Sequence, residues 1–201
     1  MKEYNIPHDK VMHTWYMPHD LCDDLINFHT QSPNKCEGKA GNRINKNIKA
    51  STDTSIPFDH ILFHDYSDEL QKGVNRYIEK YPMVDQCGGF TNLFEPTQIQ
   101  KYEVGEGFFT THTERDAQFC ERYMVYMTYL NYEPNGGTTW PYIELTLPAE
   151  KGLTVLWSAD YAYAHRGCTE NVKDVKYICT GCLLYTSPSP RDATLCRMTS
   201  S

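Results

Sequence analysis

Several things are missing from this chain of 201 residues, and each absence excludes something. No apolar run approaches the length of a membrane span, and the opening MKEYNIPHDKVMHTW lacks the apolar centre of a signal peptide, so a cytosolic protein with no membrane partner is expected. Positive charge is in short supply: 19 Lys and Arg against 26 Asp and Glu leave a net charge of -7, which gives no general attraction to nucleic acid. The eight cysteines form no regular framework and are read as reduced thiols. No internal repeat is visible, and the length suits one domain with a sizeable core.

What is present divides by hydrophobic period. Asp20 to His29 reads as a short amphipathic helix with Asp20 near its start and Leu21, Leu25 and Ile26 on one face. Phe58 to Tyr81 carries Leu62, Tyr66, Leu70, Val74 and Ile78 at four-residue steps and stops before Pro82, which predicts a longer helix covering a sheet. After Pro82 the period becomes two. Strands are expected over 98–102, 107–114, 123–130, 143–145, 153–157, 162–166 and 176–181, with a glycine-requiring turn at Pro134 to Gly137. Seven short strands after N-terminal helices predict a mainly β fold of the double-stranded β-helix, or jelly-roll and cupin-like, type. The basic run Lys35 to Lys49 reads first as a solvated loop, with a substrate-facing role as the alternative.

From Cys182 onward the text CLLYTSPSPRDATLCRMTSS loses its hydrophobic period and turns rich in Ser, Pro and Thr. Cys182 to Asp192 resembles a translated sequencing adapter, which implies a single native domain over 1–181, helical support to about 95 and β core from about 96, followed by a non-native tail.

The chemistry gathers around FFTTHTERD, Phe108 to Asp116. Residues i and i+2 of a strand project to one face about 6.6 Å apart, so His112 and Glu114 point together while Arg115 points away. Asp116 shares their parity but lies about 13 Å from His112 at full extension, which makes it the weaker carboxylate. His165, in YAYAHRG near a late strand, is placed to join them in a closed sandwich. Two histidines and one carboxylate form the facial triad that leaves positions open on Fe(II). Lys176 follows on the adjacent strand, where a buried ammonium needs an anion. The plainer readings are a satisfied core histidine for His165, a solvated strand end for Lys176 and packing aromatics for Tyr102 and Tyr129.

In order and spacing, IQKYEVGEGFFTTHTER, RYMVYMTYLNYEPNGGTTW, LPAEKGLTVLWSADYAYAHRG and VKYICTG resemble the Fe(II)- and 2-oxoglutarate-dependent dioxygenases, in their prolyl-4-hydroxylase-like branch of phages and marine microbes. The resemblance implies His112, Glu114 and His165 as iron ligands, and Lys176 with Tyr129 as the partners of the 2-oxoglutarate carboxylate. Tyr102 would line the site near the metal. It also implies O2 as co-substrate, ascorbate as a reductant, and hydroxylation of a C–H bond in a peptidyl, including prolyl, or small-molecule substrate with release of succinate and CO2. The departure from the pattern is Glu114, because the usual motif is His-x-Asp; Asp116 is the substitute. A silent ligand- or protein-binding β-sandwich and a zinc hydrolase remain as alternatives. The segments Pro33 to Pro57 and Asp116 to Arg122 are expected to cover the site.

Overall fold

Tyr123 to Leu130 has almost no polar side to offer solvent, and it runs through the middle of the protein. In a computed structural model that describes residues 1–88 and 95–185, every residue from Tyr123 to Tyr129 is buried. The strands are β1 (His13–Tyr16), β2 (Cys36–Glu37), β3 (Lys49–Ala50), β4 (Thr52–Ser55), β5 (Gln98–Tyr102), β6 (Gly107–Phe108), β7 (Arg122–Tyr129), β8 (Glu133–Trp140), β9 (Leu145–Ala149), β10 (Leu153–Ser158), β11 (Arg166–Gly167) and β12 (Lys176–Leu184). Seven of them form an antiparallel major sheet in the order β1-β10-β7-β12-β5-β4-β2, facing a three-stranded sheet β11-β8-β9, while β3 and β6 pair separately. This is the mainly β jelly roll expected.

The two-residue period of the strands sorts side chains into two cores. Val125, Met127 and Tyr129 of β7 turn inward and pack with Val155 and Trp157 of β10 and with Trp140 and Leu147 of the smaller sheet. Met124 and Tyr126 turn outward, against helices α1 (His19–Gln31) and α2 (Ile61–Lys80). Tyr66 of α2 hydrogen-bonds Thr128 Oγ1 at 2.8 Å, and Thr128 meets Thr154 at 2.8 Å, so the two polar residues buried under the helix are satisfied. Gly73 lets α2 approach β1, since a Cβ there would lie 2.2 Å from the Trp15 indole. A third helix, α3 (Met83–Gly88), ends the described N-terminal part.

Several sequence expectations are corrected. The region 1–95 is not only helical support: it contributes β1 to β4, and β1 pairs with β10 along His13 to Tyr16. Pro134 to Gly137 is not a turn but part of β8, with an irregular register between Glu133 and Thr138. Glycine is required there by close approach and not by positive φ, because a Cβ on Gly137 would fall 1.9 Å from the Leu147 carbonyl oxygen. Pro141 starts a 3-10 turn over Pro141–Ile143, which delays β9 to Leu145. Another such turn, Tyr161–Tyr163, replaces most of the strand expected at 162–166.

Strand β12 runs to Leu184, past Gly181, and buries Cys182 and Leu183. Cys179 and Cys182 stand at C-x-x-C spacing. Three steps along a strand put them on opposite faces, Cys179 in the helix-side core and Cys182 in the inner one, so they form neither a chelate nor a disulfide. The tail from 186 onward lies outside the described residues.

Candidate metal centre

The strand expected from Gly107 to Glu114 keeps ladder pairing only at Gly107 and Phe108, against Ala50 and Lys49. Beyond it the backbone makes one isolated antiparallel bridge: His112 N donates to His165 O at 2.9 Å and His165 N donates to His112 O at 2.8 Å. That reciprocal pair brings together two imidazoles 53 residues apart in sequence. On the far side of Glu114, Arg115 N donates to the Ala159 carbonyl at 3.1 Å, and the Thr113 hydroxyl donates to the same oxygen at 2.6 Å. The Arg115 side chain is drawn outward to an ion pair with Asp160.

Among the described residues, His112, Glu114 and His165 form the one cluster of three or more metal-ligating side chains, with one donor atom from each all within 4.8 Å of one another. Glu114 Oε1 lies 3.5 Å from His112 Nε2 and 3.7 Å from His165 Nε2. Each histidine turns its Nδ1 to a backbone carbonyl, Thr110 O at 2.9 Å and Tyr163 O at 3.1 Å. An Nδ1–H donated there leaves the Nε2 lone pair facing the cluster, the arrangement that orients metal-bound histidines. Phe108 stacks on the His112 ring at 3.5 Å between centroids, and Trp157 meets His165 edge-on at 5.1 Å.

Electrostatics prepare the same atoms. Burial pushes His165 down to about 4, helped by His112 and opposed by Glu114 and the Tyr163 carbonyl, so its imidazole is neutral at pH 7. Burial works to raise Glu114, but contact with His112, the charge that the two histidines carry when protonated, and the Arg122 guanidinium outweigh it and hold the carboxyl down at about 2. An ionised carboxylate beside a neutral imidazole is the donor set a divalent ion needs.

Asp116, the substitute carboxylate, is engaged elsewhere: its Oδ1 accepts from the backbone N–H groups of Gln118 and Phe119 at 2.7 and 2.9 Å. Glu114 is therefore the acid of the cluster, and it has a partner that the sequence reading did not single out. Arg122 Nη1 donates to Glu114 Oε2 and to the Glu114 carbonyl, both at 3.1 Å, while Arg122 Nε and Nη2 grip the Glu95 carboxylate at 2.8 and 2.9 Å. The signal in sequence was an arginine opening the most apolar strand, eight residues after Glu114.

The cluster opens on a cavity of about 580 Å³ that also reaches Lys176 and Tyr102. Lys176 is buried, and its ammonium donates to the Gly136 carbonyl at 2.8 Å and sits 4.8 Å from the centre of the Tyr102 ring. Burial brings it down to about 8, with Cys168 and Glu133 opposing. The Tyr102 hydroxyl donates to Gln100 Oε1 at 2.6 Å. Tyr129 stands one layer back: its hydroxyl donates to Thr138 Oγ1 at 2.8 Å, and it is Thr138 that lines the cavity. The two segments expected to cover the site both contribute to its wall, through Lys39, Asn42 and Lys49 from one and Asp116 and Phe119 from the other. Lys49 is not solvated but buried in an ion pair with Asp53 at 2.8 Å.

No family model matches the sequence and no curated protein matches it. Solved structures do. The chain is similar to a Pseudomonas putida prolyl-4-hydroxylase (TM-score 0.69, 14% identity, 87% of this chain and 93% of that one). It is also similar to a viral collagen prolyl hydroxylase of Paramecium bursaria Chlorella virus-1 in a 2-oxoglutarate complex (0.65, 18%, 91% and 100%). A third is a Trichoplax adhaerens prolyl hydroxylase in complex with a hypoxia inducible factor oxygen degradation domain peptide fragment (0.68, 13%, 96% and 88%). At these identities the likeness establishes the shared fold.

Proposed function

We propose that this chain is an Fe(II)- and 2-oxoglutarate-dependent oxygenase that hydroxylates a C–H bond in a peptidyl substrate, prolyl residues first among them. The observation that carries the reading is the meeting, in one cavity, of the His112, Glu114 and His165 donors with the buried Lys176 ammonium. A zinc hydrolase has no use for that ammonium, and a silent sandwich has no use for either. The prolyl hydroxylase fold of the similar structures supports the same reading, as does the peptide fragment bound to one of them.

Iron and the keto acid, when bound, would supply the redox chemistry: oxidative decarboxylation of the keto acid to succinate and CO2 gives the two electrons that activate dioxygen, one of whose oxygen atoms goes to the C–H bond. The protein's part is placement. His112 and His165, with their Nε2 lone pairs toward the cluster, and Glu114, with a negative charge, would hold the ion through three donors. Lys176 has three N–H donors and, among the described residues, one hydrogen-bond acceptor, so it would hold the distal carboxylate of 2-oxoglutarate. Thr138, braced by the Tyr129 hydroxyl, lines the same cavity and is the hydroxyl through which Tyr129 acts. Tyr102 packs beneath the ammonium and Trp157 backs His165, giving this part of the cavity aromatic walls.

An anaerobic titration with Fe(II) and then 2-oxoglutarate tests the proposal through the visible charge-transfer band of the chelate. The band is expected in the wild type, absent in His112→Ala, and in Lys176→Ala to require at least about tenfold more 2-oxoglutarate, the loss expected for one buried charge-assisted contact. A folded wild type that shows no band rules the oxygenase out and favours the binding module.

A further inference from the structure

The geometry points to Arg122 as a positioning residue that makes Glu114 a one-oxygen metal ligand, with Glu95 holding the guanidinium in place; the inference rests on the metal reading above. The two oxygens of Glu114 are treated differently. Oε1 faces the histidines, 3.5 and 3.7 Å from their Nε2 atoms, while Oε2 accepts from Arg122 Nη1 at 3.1 Å. The same Nη1 also reaches the Glu114 backbone carbonyl, so one nitrogen grips both ends of the residue.

The arginine is itself fixed. Glu95 takes its Nε and Nη2 as a two-pronged fork, the Phe119 ring lies 4.2 Å from the guanidinium carbon, and the Glu95 backbone N–H donates to Cys182 O of β12 at 3.1 Å. A fork of this shape is available to arginine and not to lysine.

The chemistry gives the clamp a purpose. Glutamate has one more rotatable bond than the aspartate of the usual motif, and a carboxylate with both oxygens free can chelate a cation through both. On an octahedral ion, two imidazoles and one oxygen leave three positions, enough for a two-point keto acid and dioxygen; a second carboxylate oxygen would take the last of them. Occupying Oε2 with Arg122 prevents that.

Co(II), followed by 2-oxoglutarate, is titrated anaerobically into wild type, Arg122→Met, Arg122→Lys and Glu95→Gln, each checked for folding by circular dichroism. Arg122→Met is expected to bind Co(II) about tenfold more weakly, the usual consequence of losing a ligand's outer partner, and to show an altered visible Co(II) spectrum. Arg122→Lys should recover only part of the affinity, and Glu95→Gln should fall between. Wild-type affinity and spectrum in folded Arg122→Met overturn the inference; if that variant does not fold, wild-type behaviour of Glu95→Gln overturns it. A wild type that binds no Co(II) overturns the metal reading and the clamp together. Binding of Co(II) without 2-oxoglutarate overturns the oxygenase reading alone, and the Arg122 variants still decide the clamp.

Discussion

Lys176 shows how a single residue bears the cost of a site. Its ammonium is buried with a carbonyl as its acceptor, and burial lowers its pKa from 10.5 to about 8. A folded pKa below the unfolded one means the unfolded chain binds more protons between about 8 and 10.5, so this group makes stability rise with pH across that window. Lys176→Met is therefore expected to keep the stability of the wild type or exceed it, by up to about 3 kcal/mol at pH 7, in urea unfolding, while losing 2-oxoglutarate affinity. For the same reason the wild-type dissociation constant for 2-oxoglutarate should begin to climb as pH passes about 8, where the free protein gives up the proton that the bound carboxylate needs. A dissociation constant flat from pH 7 to 9 would count against Lys176 as the anion partner. His112, Glu114 and Lys176 were legible as residue types at informative spacing; Arg122 and Glu95 were not, because nothing in a one-dimensional spacing says that 95 lies beside 122.

Among the elements, glycine decides two packings. Within α2, replacing Gly73 by Ala would favour the helix by about 1 kcal/mol on propensity alone. The added Cβ would meet Trp15 at 2.2 Å, so Gly73→Ala is expected to destabilise by about 1–3 kcal/mol, measured by thermal or urea unfolding. An unchanged or raised midpoint would show that β1 can slide away from α2. The same contest explains the misread Pro134 to Gly137: glycine pairs signal turns by local preference, yet here they serve β8 because Leu147 and Lys176 press against the strand from either side. Strands β5, β7, β10 and β12 were legible within a few residues because β7 and β10 are buried almost throughout, and β5 and β12 over more than half of their length. The short β2, β3, β6 and β11 have only two residues apiece and no period to read.

At the scale of the whole molecule, β12 ties the parts together: it pairs with β5 and β7, carries Lys176 at one end, and at the other offers the Cys182 carbonyl to Glu95. Ending the chain at Gly181 instead of Tyr185 would remove the burial of Cys182 and Leu183 and the anchor of the Arg122 clamp. A loss of about 3 kcal/mol is expected between the two lengths by urea unfolding, from one buried leucine and its neighbours, together with weaker Co(II) binding. Equal stability would mean that the strand does not need its last turn of pairing. No helix among the described residues is long and apolar enough to cross a membrane, in agreement with the hydropathy of the chain. The sequence by itself determined the residue types of the His112, Glu114 and His165 cluster, the positions of the central strands along the chain and the two helices that cover them, since periodicity and local spacing are properties of neighbours. Only the tertiary structure decided that Glu114 and not Asp116 joins the histidines, that the Tyr129 hydroxyl donates to Thr138, and that Arg122 stands over one carboxylate oxygen. Those outcomes depend on contacts between segments distant along the chain, and such contacts form only when the sheets close on each other.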